Sequence, residues 1–196
     1  MVALAVAVWP RGNDDNDAKP GREQPTGAAF GVSDELRAAA GLPACPQPAG
    51  GPAGNSPLAG ITLECLADGR PVALAAALAG KPALLNLWAY WCAPCAQELP
   101  YLQQFAQRAG NAITVLTVHS DPDEAKALSR LTGLTVKLPG VLDAAARVRT
   151  AVGAPAVLPV SVLLRADGSV AEVVVRAFDG VDDIANTVAG ELGVAA

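Results

Sequence analysis

Apolar residues are distributed unevenly along the chain. Val2 to Trp9 is one unbroken apolar run, positions 10–56 show almost no repeating face, and from Pro57 onward apolar runs alternate with turn signals. Ile61–Cys65 and Pro71–Leu74 flank Ala67-Asp68-Gly69-Arg70, and Asp-Gly between apolar segments predicts a β-hairpin. Ala83–Ala89 is almost continuously apolar, as expected of a central strand covered on both faces. Over 93–109 the stripe Leu99, Leu102, Phe105, Ala106, Ala109 predicts a helix stopped by Gly110 and kinked at Pro100. A strand over Ala112–Val118 follows, then a helix opened by Asp121-Pro122-Asp123-Glu124 that carries Ala125, Leu128 and Leu131 to Gly133. Val141-Leu142 predicts a short strand and 144–152 a short helix. Ala156–Arg165 and Val170–Arg176 bracket a second Asp-Gly turn, and Asp182-Asp183 open a last helix with Ile184, Val188 and Leu192 at helical spacing. Strands alternating with helices, plus an antiparallel end, give an α/β sandwich with a mixed sheet flanked by helices.

The N-terminal part reads differently. Eight apolar residues cannot cross a hydrocarbon core that takes about 20 in a helix, and no basic residue precedes them as in a secretory signal. Trp9, followed by Pro10 and Arg11, has the chemistry of an interfacial anchor, so residues 1–9 are expected to be the remnant of a membrane anchor. The alternative is a mildly apolar, disordered terminus. Residues 10–56 read as a flexible tether holding one short helix, capped by Ser33, acidic at Asp34 and Glu35, and stopped by Gly41. The ordered domain is expected over 57–196.

The whole chain, 196 residues, suits one such domain with an appendage. Its net charge of -5 and 17% charged residues set nucleic-acid binding aside, since that needs a basic surface. Four cysteines are an even number, which permits two disulfides.

Cys92 and Cys95 stand where a buried strand runs into a helix N-terminus. Residues three apart on a first helical turn lie about 5 to 6 Å apart, within disulfide reach. Cys92 meets the unpaired N–H groups of the helix start, which favour a thiolate and make it the expected nucleophile. Cys95, one turn inside, is expected to resolve the mixed disulfide, and Pro94 suits a turn where its missing donor costs nothing. Other uses of such a pair are a c-type haem attachment, a zinc site or an inert disulfide. Haem needs histidine after the second cysteine, and Ala96 is there. Zinc needs a second close pair, yet Cys45 and Cys65 are isolated and His119 is the sole histidine. No metal or cofactor is therefore expected. His119 ends a strand near the carboxyl edge of the sheet and is expected to be solvated or capping; the alternative is a substrate-side role. Trp88 is assigned to the core and Trp91 to a flat surface beside the thiolate.

The segment Leu85-Asn86-Leu87-Trp88-Ala89-Tyr90-Trp91-Cys92-Ala93-Pro94-Cys95 resembles the active-site segment of the thioredoxin superfamily. It is more closely similar to the TlpA/ResA/CcmG type, membrane-anchored extracytoplasmic thiol-disulfide oxidoreductases, and the resemblance runs from residue 57 to 193. It implies a thioredoxin-like three-layer sandwich with an added N-terminal β-hairpin. It implies that Pro159, after Val157-Leu158, is a cis-proline facing the disulfide, where the residues alone also allow a trans proline opening an edge strand. Thioredoxin itself carries a buried aspartate where this chain has Asn86, and an amide cannot titrate. Glu98, three residues beyond Cys95 on the same helix, is then the expected proton acceptor, as in ResA-type members; the alternative is a surface glutamate favouring the helix dipole. Asn86 is expected to be a satisfied buried amide, supporting the site together with Trp91 and Pro94.

By the same resemblance, the protein exchanges disulfides with substrate-protein cysteines on the outer side of the cell membrane. A membrane electron carrier of the CcdA or DsbD kind would feed it, and cytochrome c maturation is the implied setting. Ala93-Pro94 lacks the histidine that strongly oxidising DsbA-like relatives carry, so the reducing or isomerising direction is favoured over oxidative folding. A redox-silent thioredoxin-like binding module is the reading from another class. Cys45 and Cys65 are expected to bridge and pin the tether to the domain, a bond that persists only outside the cytosol; two free or intermolecular thiols are the rival.

Overall fold

The computed structural model describes residues 3, 32–48 and 56–195. The anchor remnant expected over 1–9, Ala3 apart, and the tether from 10 to 31 lie outside the described residues. Among the described residues no helix is long and apolar enough to cross a membrane.

The elements follow the order α1 (Asp34–Ala40), β1 (Thr62–Cys65), β2 (Pro71–Ala73), α2 (Leu74–Ala77), β3 (Ala83–Trp88), α3 (Ala93–Ala109), β4 (Thr114–His119) and α4 (Glu124–Gly133). They continue with β5 (Gly140–Leu142), α5 (Arg147–Ala151), β6 (Val160–Leu164), β7 (Val170–Val174) and α6 (Val181–Leu192). The seven strands form one sheet in the order β2-β1-β5-β4-β3-β6-β7. β3, β4 and β5 run parallel, while β1, β2, β6 and β7 pair antiparallel at the two ends. The expected β-α-β unit is therefore β3-α3-β4, and the opening hairpin is β1-β2, with Gly69 at φ 71° in its turn.

Alternation along β3 builds two cores. Leu84 and Trp88 face the layer of α3, α4 and α6 with Leu99, Leu102, Phe105, Leu128, Leu131, Ile184 and Val188. Leu85 and Leu87 face the other layer with Leu74, Val148, Val162 and Leu164. All six β3 residues are buried, as their near-continuous apolarity predicts, and the one polar member, Asn86, points into the first layer.

Several boundaries differ from the sequence reading. The helix expected over 144–152 is only Arg147–Ala151, because Ala146 is left-handed at φ 51° and the Asp143 carboxylate accepts the N–H groups of Arg147 and Val148. The strand expected from Ala156 begins at Val160, after the cis Leu158–Pro159 peptide. A short 3-10 turn over Gly110–Ala112 delays β4 to Thr114.

The largest difference lies before residue 57. The compact unit spans Val32–Ala196, so the segment expected inside the tether is docked on the domain. Three attachments hold it. Arg37 donates two hydrogen bonds of 3.0 Å to the Glu124 carboxylate, Lys137 Nζ donates to the Ala40 carbonyl, and Cys45 is bonded to Cys65. None of these partners is near in sequence, which is why composition alone reads the stretch as a tether.

Candidate active site

Cys92 is the N-cap of α3, and its Sγ accepts the Cys95 backbone N–H at 3.3 Å. The turn that delivers it from β3 is closed by the Cys92 N–H to the Ala89 carbonyl. Pro94 lies in the first helical turn as expected, where its missing donor leaves no carbonyl unpaired. Cys92 and Cys95 are joined as a disulfide with Cα atoms 5.3 Å apart. Cys92 keeps 5% of its surface exposed and Cys95 none, so an approaching molecule reaches the first sulfur before the second. Trp91, beside it, is 59% exposed, and its indole N–H is held by Asp121 Oδ2 at 3.0 Å.

Glu98 is fully buried, which removes the alternative of a surface glutamate. Its Oε2 accepts from Asn86 Nδ2 at 3.2 Å and its Oε1 from the Phe178 N–H at 3.3 Å. Burial pushes the carboxyl up to about 7; the Phe178 and Asn86 hydrogen bonds and the charge of Arg176 oppose that rise without cancelling it. Arg176 is fixed by the Asp183 carboxylate at 2.6 and 2.9 Å, with its guanidinium 5.0 Å from the Phe178 ring centroid. Asn86 also donates to Ser161 Oγ at 3.2 Å, but its Oδ1 has no partner among the described residues. The expectation of a fully satisfied amide is thus met on the nitrogen only.

His119 departs most from expectation. It is buried rather than solvated, its ring packs edge-on to Trp88 at 4.8 Å, and its Nε2 accepts the Tyr90 N–H at 3.3 Å. Accepting at Nε2 puts the proton of the neutral ring on Nδ1, which has no partner among the described residues, and burial brings the imidazole down to about 4. The histidine therefore tethers the turn that presents Trp91 and Cys92. Ser161, Phe178 and this role of His119 were not foreseen from sequence, because their partners stand 75, 80 and 29 positions away.

β6 begins at Val160 opposite Leu87, so Pro159, in a cis peptide, stands at the same end of the sheet as the turn to Cys92. Beside Trp91 opens a groove of about 480 Å³, lined by Ser120, Ala146, Arg149 and the stretch Ala156 to Leu158. Among the described residues no group of three or more His, Cys, Asp or Glu is placed to hold a metal ion. Cys45 and Cys65, both buried, form the second disulfide, away from free-thiol chemistry.

Comparison with known proteins adds four findings. The sequence model of the family described as Redoxin matches residues 49–188. A thiol-disulfide oxidoreductase ResA of Bacillus cereus is 28% identical over 101 residues, half of this chain and 57% of the relative, so the chain spans little more than half the length of that relative. A secreted Mycobacterium tuberculosis disulfide oxidoreductase, described as homologous to Escherichia coli DsbE, superposes with a TM-score of 0.58 at 29% identity, covering 68% of this chain and 97% of that one. An exposed lipoprotein thioredoxin of Streptococcus pneumoniae gives 0.57 at 27%, covering 66% and 98%.

Proposed function

The chain belongs to the Redoxin family, in the TlpA/ResA/CcmG-like part of the thioredoxin superfamily, and from that premise we propose that it is a thiol-disulfide oxidoreductase acting on protein cysteines. The observation that carries this is the placing of two sulfurs at one helix start, the first touched by solvent and accepting an N–H, the second sealed behind it.

In the reduced protein, the helix N-terminus and the Cys95 N–H favour a Cys92 thiolate. That thiolate attacks a substrate disulfide, forming a mixed disulfide and releasing one substrate thiolate. Cys95 then gives its proton to Glu98 and attacks Cys92 Sγ. The Cys92–Cys95 bond closes, the second substrate sulfur leaves as a thiol after taking up a proton, and two electrons have passed to the substrate. A carboxyl raised to about 7 is matched to this step, since it holds or releases a proton near neutrality. Pro159 and Trp91 flank the approach of the substrate chain.

We favour the reducing or isomerising direction, because Ala93-Pro94 adds no charge to stabilise the thiolate further. A Cys92/Cys95 midpoint at or below about -200 mV supports it, and one near about -120 mV assigns oxidative folding instead. An extracytoplasmic site of action is supported by the Cys45–Cys65 bridge, a bond that reducing compartments do not keep, and by the relatives described as secreted or exposed. Tethering by an N-terminal anchor, electron supply from a CcdA- or DsbD-like membrane carrier and service to cytochrome c maturation complete the proposal.

The test is turnover of insulin or a scrambled disulfide substrate by the wild type and by Cys92→Ser. Activity lost with Cys92 is the expected result. Equal residual activity in both, or none in either, points to a binding module.

A further inference from the structure

The groove beside Trp91 carries one feature that disulfide exchange does not use. Its walls are apolar, formed by exposed Trp91 and Val157, with Leu158, Ala146 and Ala156. Ala156 and Val157 form no hydrogen bond to any described residue, so their backbone groups are open to an extended chain lying along them. Two charges belong to the same region, and they differ in what they already hold. Asp121 is engaged: one oxygen takes the Trp91 indole N–H at 3.0 Å and the other the Asp123 N–H at 2.8 Å. Arg149, half-buried on α5, has a guanidinium with no ion pair or hydrogen bond among the described residues. The contrast is sharp within α5 itself, where Arg147 is bound to the carbonyls of Thr62 and Gly60 at 3.1 and 3.0 Å. A planar five-donor cation on an apolar wall, without a partner, is a ready receptor for a carboxylate.

We propose that this groove selects client segments that carry an acidic side chain close to the reacting cysteine, with Arg149 as the specificity-determining residue. The inference rests on the oxidoreductase reading for its substrate, an extended protein segment presenting sulfur to Cys92. The preference is local: the chain's net charge of -5 gives an acidic client no long-range attraction, so Arg149 acts on the bound segment rather than on its approach.

The experiment uses the full, reduced chain and a set of short peptides, each with one cysteine as its mixed disulfide with mercaptoethanol. Around the cysteine, each flanking position carries in turn Glu, Gln or Lys. At one or two adjacent positions the Glu peptide is expected to exceed its Gln counterpart by about three- to fivefold in the second-order rate constant of a single round, in which the reduced Cys92/Cys95 pair supplies both electrons, as a partly exposed ion pair allows. The Lys peptide falls below both, and the differences shrink as salt is raised. Arg149→Gln brings the Glu-to-Gln ratio to one and Arg149→Glu inverts it, whereas Arg165→Gln, on the second hairpin, leaves the ratio as in the wild type. A wild type that treats the three peptides alike at every position, or a ratio unchanged in Arg149→Gln, overturns the proposal. If no peptide is turned over, the oxidoreductase reading fails on its own. Calorimetric binding of the same peptides with serine for cysteine then decides the role of Arg149, with the same order of affinities expected and equal affinities overturning it.

Discussion

Glu98 is the residue proposed to take the Cys95 proton, and its burial has a consequence for stability as well. Its folded value of about 7 lies above the ordinary 4.5, so folding takes up a proton between these two pH values. The group therefore favours the folded state fully below about pH 4.5, loses that contribution as pH rises through 7, and leaves the buried carboxylate a net burden above it. A rise of this size corresponds to about 3 kcal/mol at most. Glu98→Gln, measured by denaturant unfolding of the oxidised protein at about pH 5 and about pH 8, is expected to flatten this decline. It is also expected to slow disulfide exchange at neutral pH by about tenfold or more and to remove an inflection near 7 from the pH profile. A variant with the wild-type pH slope and profile would show that Glu98 only fills space. Sequence placed Glu98 on the side of Cys95, but its depth depends on Phe178 and Asn86 closing over it, which no local pattern encodes. His119 illustrates the same limit: a strand-ending histidine reads as solvated until Trp88 and Tyr90 are seen to enclose it.

At the level of elements, periodicity located nearly every strand and helix, and missed where a side-chain cap or a left-handed residue shortens one and where a distant partner docks another. β3 is legible because its residues are apolar on both faces, and α3 because its stripe is regular and Gly110 ends it. α5 is shorter than its pattern because the Asp143 carboxylate caps it late, and α1 is docked because Arg37 finds Glu124, 87 positions away. In that pair both side chains are largely covered, and burial raises the Glu124 carboxyl while Arg37 works against that rise. Removing Arg37 alone leaves a carboxylate in a poorly solvated place. Arg37→Met is expected to destabilise by about 2 kcal/mol, and the double change Arg37→Met/Glu124→Met by clearly less. Equal losses in single and double variants, compared by denaturant unfolding, would mean that apolar contacts rather than the ion pair hold α1.

For the molecule as a whole, the Cys45–Cys65 bridge joins the docked segment 32–48 to the sheet. A closed loop with a sequence separation of 20 is worth about 3 kcal/mol in the chain-entropy model. Cys45→Ala/Cys65→Ala is expected to lower stability by about that amount and to leave the Cys92/Cys95 midpoint potential unaltered. A shifted potential would couple the two sulfur pairs instead. What the sequence determined by itself is the layered α/β plan, the strand-to-helix junction at Cys92 and Cys95, and the pairing of the remaining two cysteines as one of its options. Those follow from short-range facts: side-chain period, turn chemistry and the free N–H groups of a helix start. Tertiary structure alone decided that Glu98 and His119 are buried, that Asn86 reaches Ser161, that residues 32–48 belong to the compact unit, and that Arg149, beside Trp91, has no side-chain partner among the described residues. Burial and hydrogen-bond partnership are properties of what packs against a residue, and here the packing groups come from far along the chain.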